Sequence, residues 1–245
     1  MKDQKIKIGV AFGNRGFFPG ELCLEARRQV FGALEKKGIE WASLSADESA
    51  YGAIGNFEDA EKCIRLFKEH SLDGLLISLP NFGDESSLLE VARRSSKGLP
   101  VLIQAFPDEV ERLQIGQRRD SFCGKISVCN NLHQSGIAFT LTSSHVVHPS
   151  DAKFDRDLLE FKSICRITKQ MRSNRLGQIG VRPDAFRTVR YSEKILEANG
   201  QSVHVIGLDR IIERAHGFDS DGQELKDMYQ ALSQFRRPDS IEGDT

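Results

Sequence analysis

Two hydrophobic rhythms alternate along the first part of the chain. Residues 6–12 (IKIGVAF) are largely apolar, which fits a short strand buried on both faces. Residues 21–37 then place Leu22, Ala26, Val30, Ala33 and Leu34 at helical spacing, and Gly38 follows as a stop. The pair of rhythms repeats. Residues 39–44 read as a second strand. Asn56, with Asp59 three positions on, reads as the N-cap of a helix reaching about residue 70. Residues 74–79 (GLLISL) and 100–106 (PVLIQAF) are a third and a fourth strand, with a helix over 85–94 between them. Apolar strands separated by amphipathic helices predict a parallel sheet covered on both faces. The expected fold is therefore α/β, a Rossmann-like or flavodoxin-like three-layer arrangement with strand order 2-1-3-4.

Past residue 120 the pattern changes. In residues 121–144, Val128, Leu132, Ser135 and Phe139 fit one helical face, so the segment reads as a helix with Asn130, Asn131 and Gln134 near its start. Residues 155–171 carry Leu158, Phe161, Ile164, Cys165 and Ile167 on a long helix. A strand over 177–181, a helix over 188–198 closed by Gly200, and a strand over 202–208 open another unit. A further helix is expected over 223–235, and the tail RRPDSIEGDT is polar and expected to be loose. Two strands cannot bury both faces of a parallel sheet. The expected organisation is a first α/β domain over 1–154, a linking helix over 155–176, and an incomplete second α/β unit over 177–245.

Ligands of such sheets sit at the carboxyl ends of the strands. Those ends read FGNRGFFPG, LPNFGDE and AFPDE, and each joins a phenylalanine to polar groups: Arg15 with Phe17, Asn81 with Phe82, Phe106 with Asp108. Each ring can equally be a mere cap on the sheet, and the sequence leaves both readings open. A polyol needs planar bidentate groups for its hydroxyls and an apolar plate for its C–H face. Arg15, Phe17, Phe82, Asn131 and Gln134 supply both if their segments converge.

Other chemistries find less support. Gly9, Gly13 and Gly16 do not have the spacing of a dinucleotide loop, and Glu21 in the first helical turn would repel a phosphate. His145, His148 and Asp151 are spaced like metal ligands but flank a proline in an irregular stretch, and Cys123 and Cys129 lack a second pair for zinc. Asp108, Glu109 and Glu111 follow a strand, where a proton-transfer group belongs, yet they equally resemble solvated loop acids. No serine sits in a nucleophile elbow.

Composition narrows the classes further. The 245 residues hold 34 basic and 35 acidic side chains, a net charge of −1, which gives no electrostatic footprint for nucleic acid or an anionic membrane. No apolar run approaches a membrane span, and the N-terminus leads straight into a strand. Five scattered cysteines then read as reduced thiols of a cytoplasmic protein.

Three stretches resemble a known family. GNRGFFPGEL (13–22), RRDSFCGKISVCNNLHQSG (118–136) and IGVRPDAFRTVRYSEKILEANG (179–200) are similar to segments of the L-fucose/L-arabinose isomerase-like proteins. The resemblance implies an aldose–ketose isomerase: oligomeric, dependent on a divalent metal, usually manganese, with an active site at a subunit contact that a neighbour's first domain closes. It implies that Arg15 and Phe17 contact substrate from the first loop, that Phe82 forms an aromatic wall, and that Gln134 is a polar contact, with Asn131 added by proximity. Nothing in the chain matches the family's metal-binding segment, and family members are longer. The expectation is an N-terminal portion of an isomerase, with no catalytic or metal residue of its own, a monosaccharide substrate and other isomerase subunits as partners. A cytoplasmic sugar-binding or regulatory module without catalysis is the alternative.

Overall fold

β3 (Gly74–Leu79), buried at every residue, is the middle strand of a five-stranded sheet in the computed structural model. The structure describes residues 5–114, 116–219 and 222–233, and the chain divides into two units, residues 1–171 and 172–245. In the first unit β2 (Ile39–Ala42) and β1 (Ile6–Phe12) lie on one side of β3, and β4 (Val101–Ala105) and β5 (Thr140–Leu141) on the other. Every pairing is parallel, with Ile8 opposite Gly74 and Leu75 opposite Val101. The order 2-1-3-4 expected from the hydrophobic rhythm is present, extended by β5.

Helices cover both faces, as parallel sheets require. α1 (Glu21–Lys36) and α5 (Ala152–Met171) close one core with Val10, Phe12 and Phe106. α2 (Phe57–Glu69), α3 (Glu85–Ser95) and α4 (Ser121–Gln134) close the other with Leu75, Ile77 and Ile103. Side-chain caps set two of the helix starts. Asn56 Oδ1 accepts the N–H of Asp59 at 3.0 Å, and Asp84 Oδ1 accepts that of Ser87 at 2.9 Å.

Two expectations change here. The segment 121–144 is not one helix. Gly136 adopts a left-handed φ of +68°, and the N–H of Ile137 bonds back to the carbonyl of Leu132 at 2.9 Å. This is a Schellman stop, and it frees residues 140–141 to pair with β4. Val128 and Leu132 are buried as expected, while Phe139 lies beyond the helix. The helix expected as a linker also packs into the first unit. Phe154, Leu158, Phe161 and Cys165 recur at three- and four-residue spacing and are all buried in its core. The division falls at 171/172 and not at 154/155.

The second unit pairs β6 (Arg175–Ile179) parallel to β7 (Ser202–Ile206). α6 (Glu193–Ala198) begins five residues later than the helix expected from residue 188, because Ser192 Oγ caps the N–H of Ile195. α7 (Leu208–His216) was not foreseen, although Leu208, Ile211, Ile212 and Ala215 have helical spacing. α8 (Gln223–Ser233) corresponds to the last expected helix. No described residue of this unit is buried. The tail from residue 234 lies outside the described residues.

Candidate functional site

The loops after β1 and β3 are joined by one side chain. Asn81 is fully buried, and its Oδ1 accepts the backbone N–H of Arg15 at 3.2 Å and of Gly83 at 3.1 Å. Its Nδ2 donates to Asn14 Oδ1 at 2.8 Å and to the Pro19 carbonyl at 3.4 Å. Gly13 adds close packing, since a Cβ there would come within 2.7 Å of Leu88 Cδ1 and 2.9 Å of Leu79 Cδ2. The loop glycine therefore serves helix–sheet contact rather than a phosphate.

Tying the loops together assembles a stack of rings. Phe82 lies parallel to Phe18 with centroids 6.0 Å apart, and Phe18 lies 4.6 Å from Phe17. The Arg15 guanidinium sits over Phe82 at 4.7 Å and beside Phe17 at 5.8 Å. Phe18 is buried, whereas Phe17 is 66% exposed. The guanidinium makes no hydrogen bond or ion pair with any described residue. It is thus a positioned cation with its five donors unspent. The two readings of the loop phenylalanines separate accordingly. Phe106 and Phe18 are caps, while Phe17 and Phe82 present ring surface beside a free cation.

Arg119 shows the contrast. It is 4% exposed and paired: Nη1 donates to the Pro80 carbonyl at 3.1 Å, and Nη2 pairs with Glu109 at 2.9 Å. That bond, and the charges of Arg119 and Arg112, hold the Glu109 carboxyl below the usual carboxylate range. Asp108 Oδ1 accepts the N–H groups of Arg119 and Asp120 at 2.8 and 3.2 Å. Both acids are structural clasps of the loop before α4, not groups poised for proton transfer. No local pattern marks Arg119 for this role, because its partners Pro80 and Glu109 are brought to it by the fold.

α4 contributes packing to this edge rather than the expected amides. Gly124 lies so close to the Phe82 backbone that a Cβ would fall 1.9 Å from its carbonyl oxygen. Lys125, buried, bonds Thr142 Oγ1 at 2.8 Å and the His145 carbonyl at 2.9 Å, and burial lowers its pKa to about 8. Asn131 spends its amide on Glu85 Oε2 at 2.7 Å and on the Ser127 carbonyl. Gln134 is exposed at the far end of α4, bonded to Asn130, about 15 Å along the axis from Gly124 at ~1.5 Å per residue. Of the five sugar-contact candidates, the structure brings together Arg15, Phe17 and Phe82; the Asn131 amide is committed to Glu85 and Ser127, and Gln134 lies at the far end of α4.

The model of the fucose/sulfoquinovose isomerase N-terminal domain matches residues 9–172, about two thirds of the chain. The chain belongs to that family. The matched region ends within one residue of the unit boundary at 171/172, so it is the first unit that carries the family's N-terminal domain. It takes in two of the resembling stretches, including the Arg15–Phe17 loop, and stops before the third at 179–200. No curated protein matches the chain closely enough to count as a relative.

The described residues do not fit the divalent metal that the resemblance implies. Among them, no group of three or more His, Cys, Asp and Glu side chains is placed to hold a metal ion. His148 Nδ1 is engaged with Ser150 Oγ at 2.7 Å while its ring packs edge-on against Phe106, and His145 packs against Phe122. Among the described residues, no helix is long and apolar enough to cross a membrane.

Proposed function

We propose that this chain serves an aldose–ketose isomerase by supplying one wall of the sugar site, through Arg15, Phe17 and Phe82. The observation that carries the reading is the unspent Arg15 guanidinium held over Phe82, in a chain of this isomerase family. A guanidinium gives parallel donors to vicinal hydroxyls, and a ring face accepts the C–H side of a pyranose or an open-chain sugar. The exposed Phe17 ring would exclude water from the reacting carbons when the wall closes on its partner. That partner, in this reading, is another isomerase subunit carrying a divalent metal, manganese by resemblance. Asn131 and Gln134 take no part in this wall, because the first spends its amide on Glu85 and the second lies at the far end of α4.

The test is isomerisation of a panel of aldoses, including L-fucose, L-arabinose and sulfoquinovose, with manganese present. It is run on the chain alone and mixed with the metal-bearing segment of a family isomerase. Turnover is expected in the mixture, reduced at least about tenfold by Arg15→Ala, the loss of a charge-assisted hydrogen bond, and unchanged by Gln134→Ala. Arg15→Ala should cost no more than about 1 kcal/mol of stability, the worth of its contacts with the Phe82 and Phe17 rings, since the guanidinium makes no hydrogen bond or ion pair with the described residues. Turnover insensitive to Arg15→Ala would remove the wall from the reaction. Saturable sugar binding without turnover in either case would favour the sugar-binding module.

A further inference from the structure

Residues 14–20 carry Arg15, Phe17 and Phe18, and Asn81 holds this loop from the sheet side. A second segment, residues 49–56, holds it at both ends. At its start Gly13 bridges Ile54. The N–H of Asn14 donates to the Ile54 carbonyl at 2.9 Å, and the N–H of Ile54 donates to the Phe12 carbonyl at 2.7 Å. At its end Gly20 packs against the Tyr51 ring. A Cβ at Gly20 would come within 2.5 Å of Tyr51 Cδ2 and 2.7 Å of Cζ. Gly20 has ordinary helical angles, φ −70° and ψ −26°, so the ring and not the backbone calls for glycine there.

Tyr51 itself is strained. Its φ of 60° and ψ of 13° are left-handed, and Gly52 follows with φ +62°. A bulky residue in that region costs free energy and persists only where its surroundings over-determine it. Arg27 is one such support. Its Nη1 donates to the Gly52 carbonyl at 2.6 Å and to Ser43 Oγ at 3.2 Å, and its guanidinium lies 5.2 Å from the Phe12 ring centre. The Tyr51 ring is half-buried against the core that holds Phe12. Its hydroxyl reaches Glu21 Oε1 only at 3.5 Å, the limit of a hydrogen bond. The strained turn thus serves to aim a ring at Gly20.

We propose that Tyr51 is a positioning residue for the loop of residues 14–20. Its ring, braced by Arg27, fixes the end of the loop while Ile54 fixes the start. The Arg15 guanidinium and the exposed Phe17 ring are then in place before a ligand arrives. What the hold is for rests on the sugar-wall reading above; the hold itself does not. A loosened loop presents the wall in only a fraction of molecules, and apparent affinity falls by that fraction.

The experiment is 15N relaxation of the full chain, without sugar, in three variants. Tyr51→Gly removes the ring and accepts the left-handed backbone. It is expected to lower the Phe17 and Phe18 amide order parameters from about 0.85 to below about 0.6 and to move the Arg15 Nε–H signal as the guanidinium leaves the Phe82 ring. Tyr51→Phe should keep both values. Gly20→Ala strikes the same contact from the other side, should loosen the loop likewise, and decides the matter if Tyr51→Gly does not fold. In the isomerase mixture Tyr51→Gly should raise the sugar KM at least about threefold with kcat within about twofold. Order parameters unchanged in Tyr51→Gly and Gly20→Ala would overturn the proposal. So would a loosened loop with unchanged KM in a mixture that does lose turnover with Arg15→Ala. A loosened loop in a mixture indifferent to Arg15→Ala would uphold the brace and overturn the sugar wall.

Discussion

Asn81 has no exposed surface and four hydrogen bonds, and two of these go to backbone N–H groups of separate loops. Alanine at this position leaves buried donors and acceptors unpaired on both sides. We expect Asn81→Ala to lower the unfolding free energy by roughly 2–4 kcal/mol, read from urea denaturation. A loss under about 0.5 kcal/mol would show that water replaces the amide. The same variant should weaken any sugar binding that depends on Arg15, because the Arg15 N–H and the chain leading to Phe82 lose their common anchor. Arg15 itself separates the two effects, since its guanidinium touches only the Phe82 and Phe17 rings and makes no hydrogen bond or ion pair with the described residues.

At the scale of elements, α4 decides how closely the Phe82 loop can approach. Gly124 leaves no room for a methyl group against the Phe82 carbonyl. Gly124→Ala must push the helix from the loop, at a cost of about 1–3 kcal/mol from overpacking, although alanine is the better helix former. The checkable outcome is a lower thermal midpoint together with displaced Phe82 ring signals. A neutral or stabilising effect would mean that α4 slides freely, and the Phe82 platform is then not set by this contact. α5 teaches the same lesson in reverse. Its apolar stripe at 154, 158, 161 and 165 is a packing face, and a helix with such a stripe belongs to a core.

For the whole molecule, both hydrophobic clusters are drawn from the first unit alone. Residues 1–171 expressed by themselves should therefore unfold in one cooperative transition; a broad, non-cooperative melt would contradict this. The buried Lys125 adds a pH signature. Its folded pKa of about 8 lies below the ordinary lysine value of 10.5, so between those pH values the unfolded chain binds more protons. Stability contributed by this group consequently rises with pH across that window. The gain should be of order 1 kcal/mol from pH 8 to 9 and should vanish in Lys125→Met. Thiols oppose it in the same window: burial raises the pKa of Cys23 to about 12 and that of Cys63 still higher, so stability falls as the unfolded thiols ionise from about pH 8.5 upward, and the difference between wild type and Lys125→Met isolates the lysine. A flat or falling difference between wild type and Lys125→Met would show that the ammonium is solvated.

The order of strands, the two helical layers and the Asn56 cap were legible in the sequence, because period, length and capping chemistry are local properties. So were the family, from its resembling stretches, and the meeting of Arg15, Phe17 and Phe82, since a parallel sheet sends its loops after β1 and β3 to one edge; that they contact a sugar is the proposal. What lay beyond reach depended on distance through space. Asn131 spends its amide on Glu85, 46 residues away in sequence, and Gln134 follows Gly124 closely in sequence but is carried by a helix away from it at ~1.5 Å per residue. Whether a phenylalanine caps the core or faces solvent, and whether an arginine is paired like Arg119 or free like Arg15, are decided by neighbours remote in the chain. Pattern and propensity determined the frame of this protein; which of its polar groups remain available for chemistry was decided only when the frame closed.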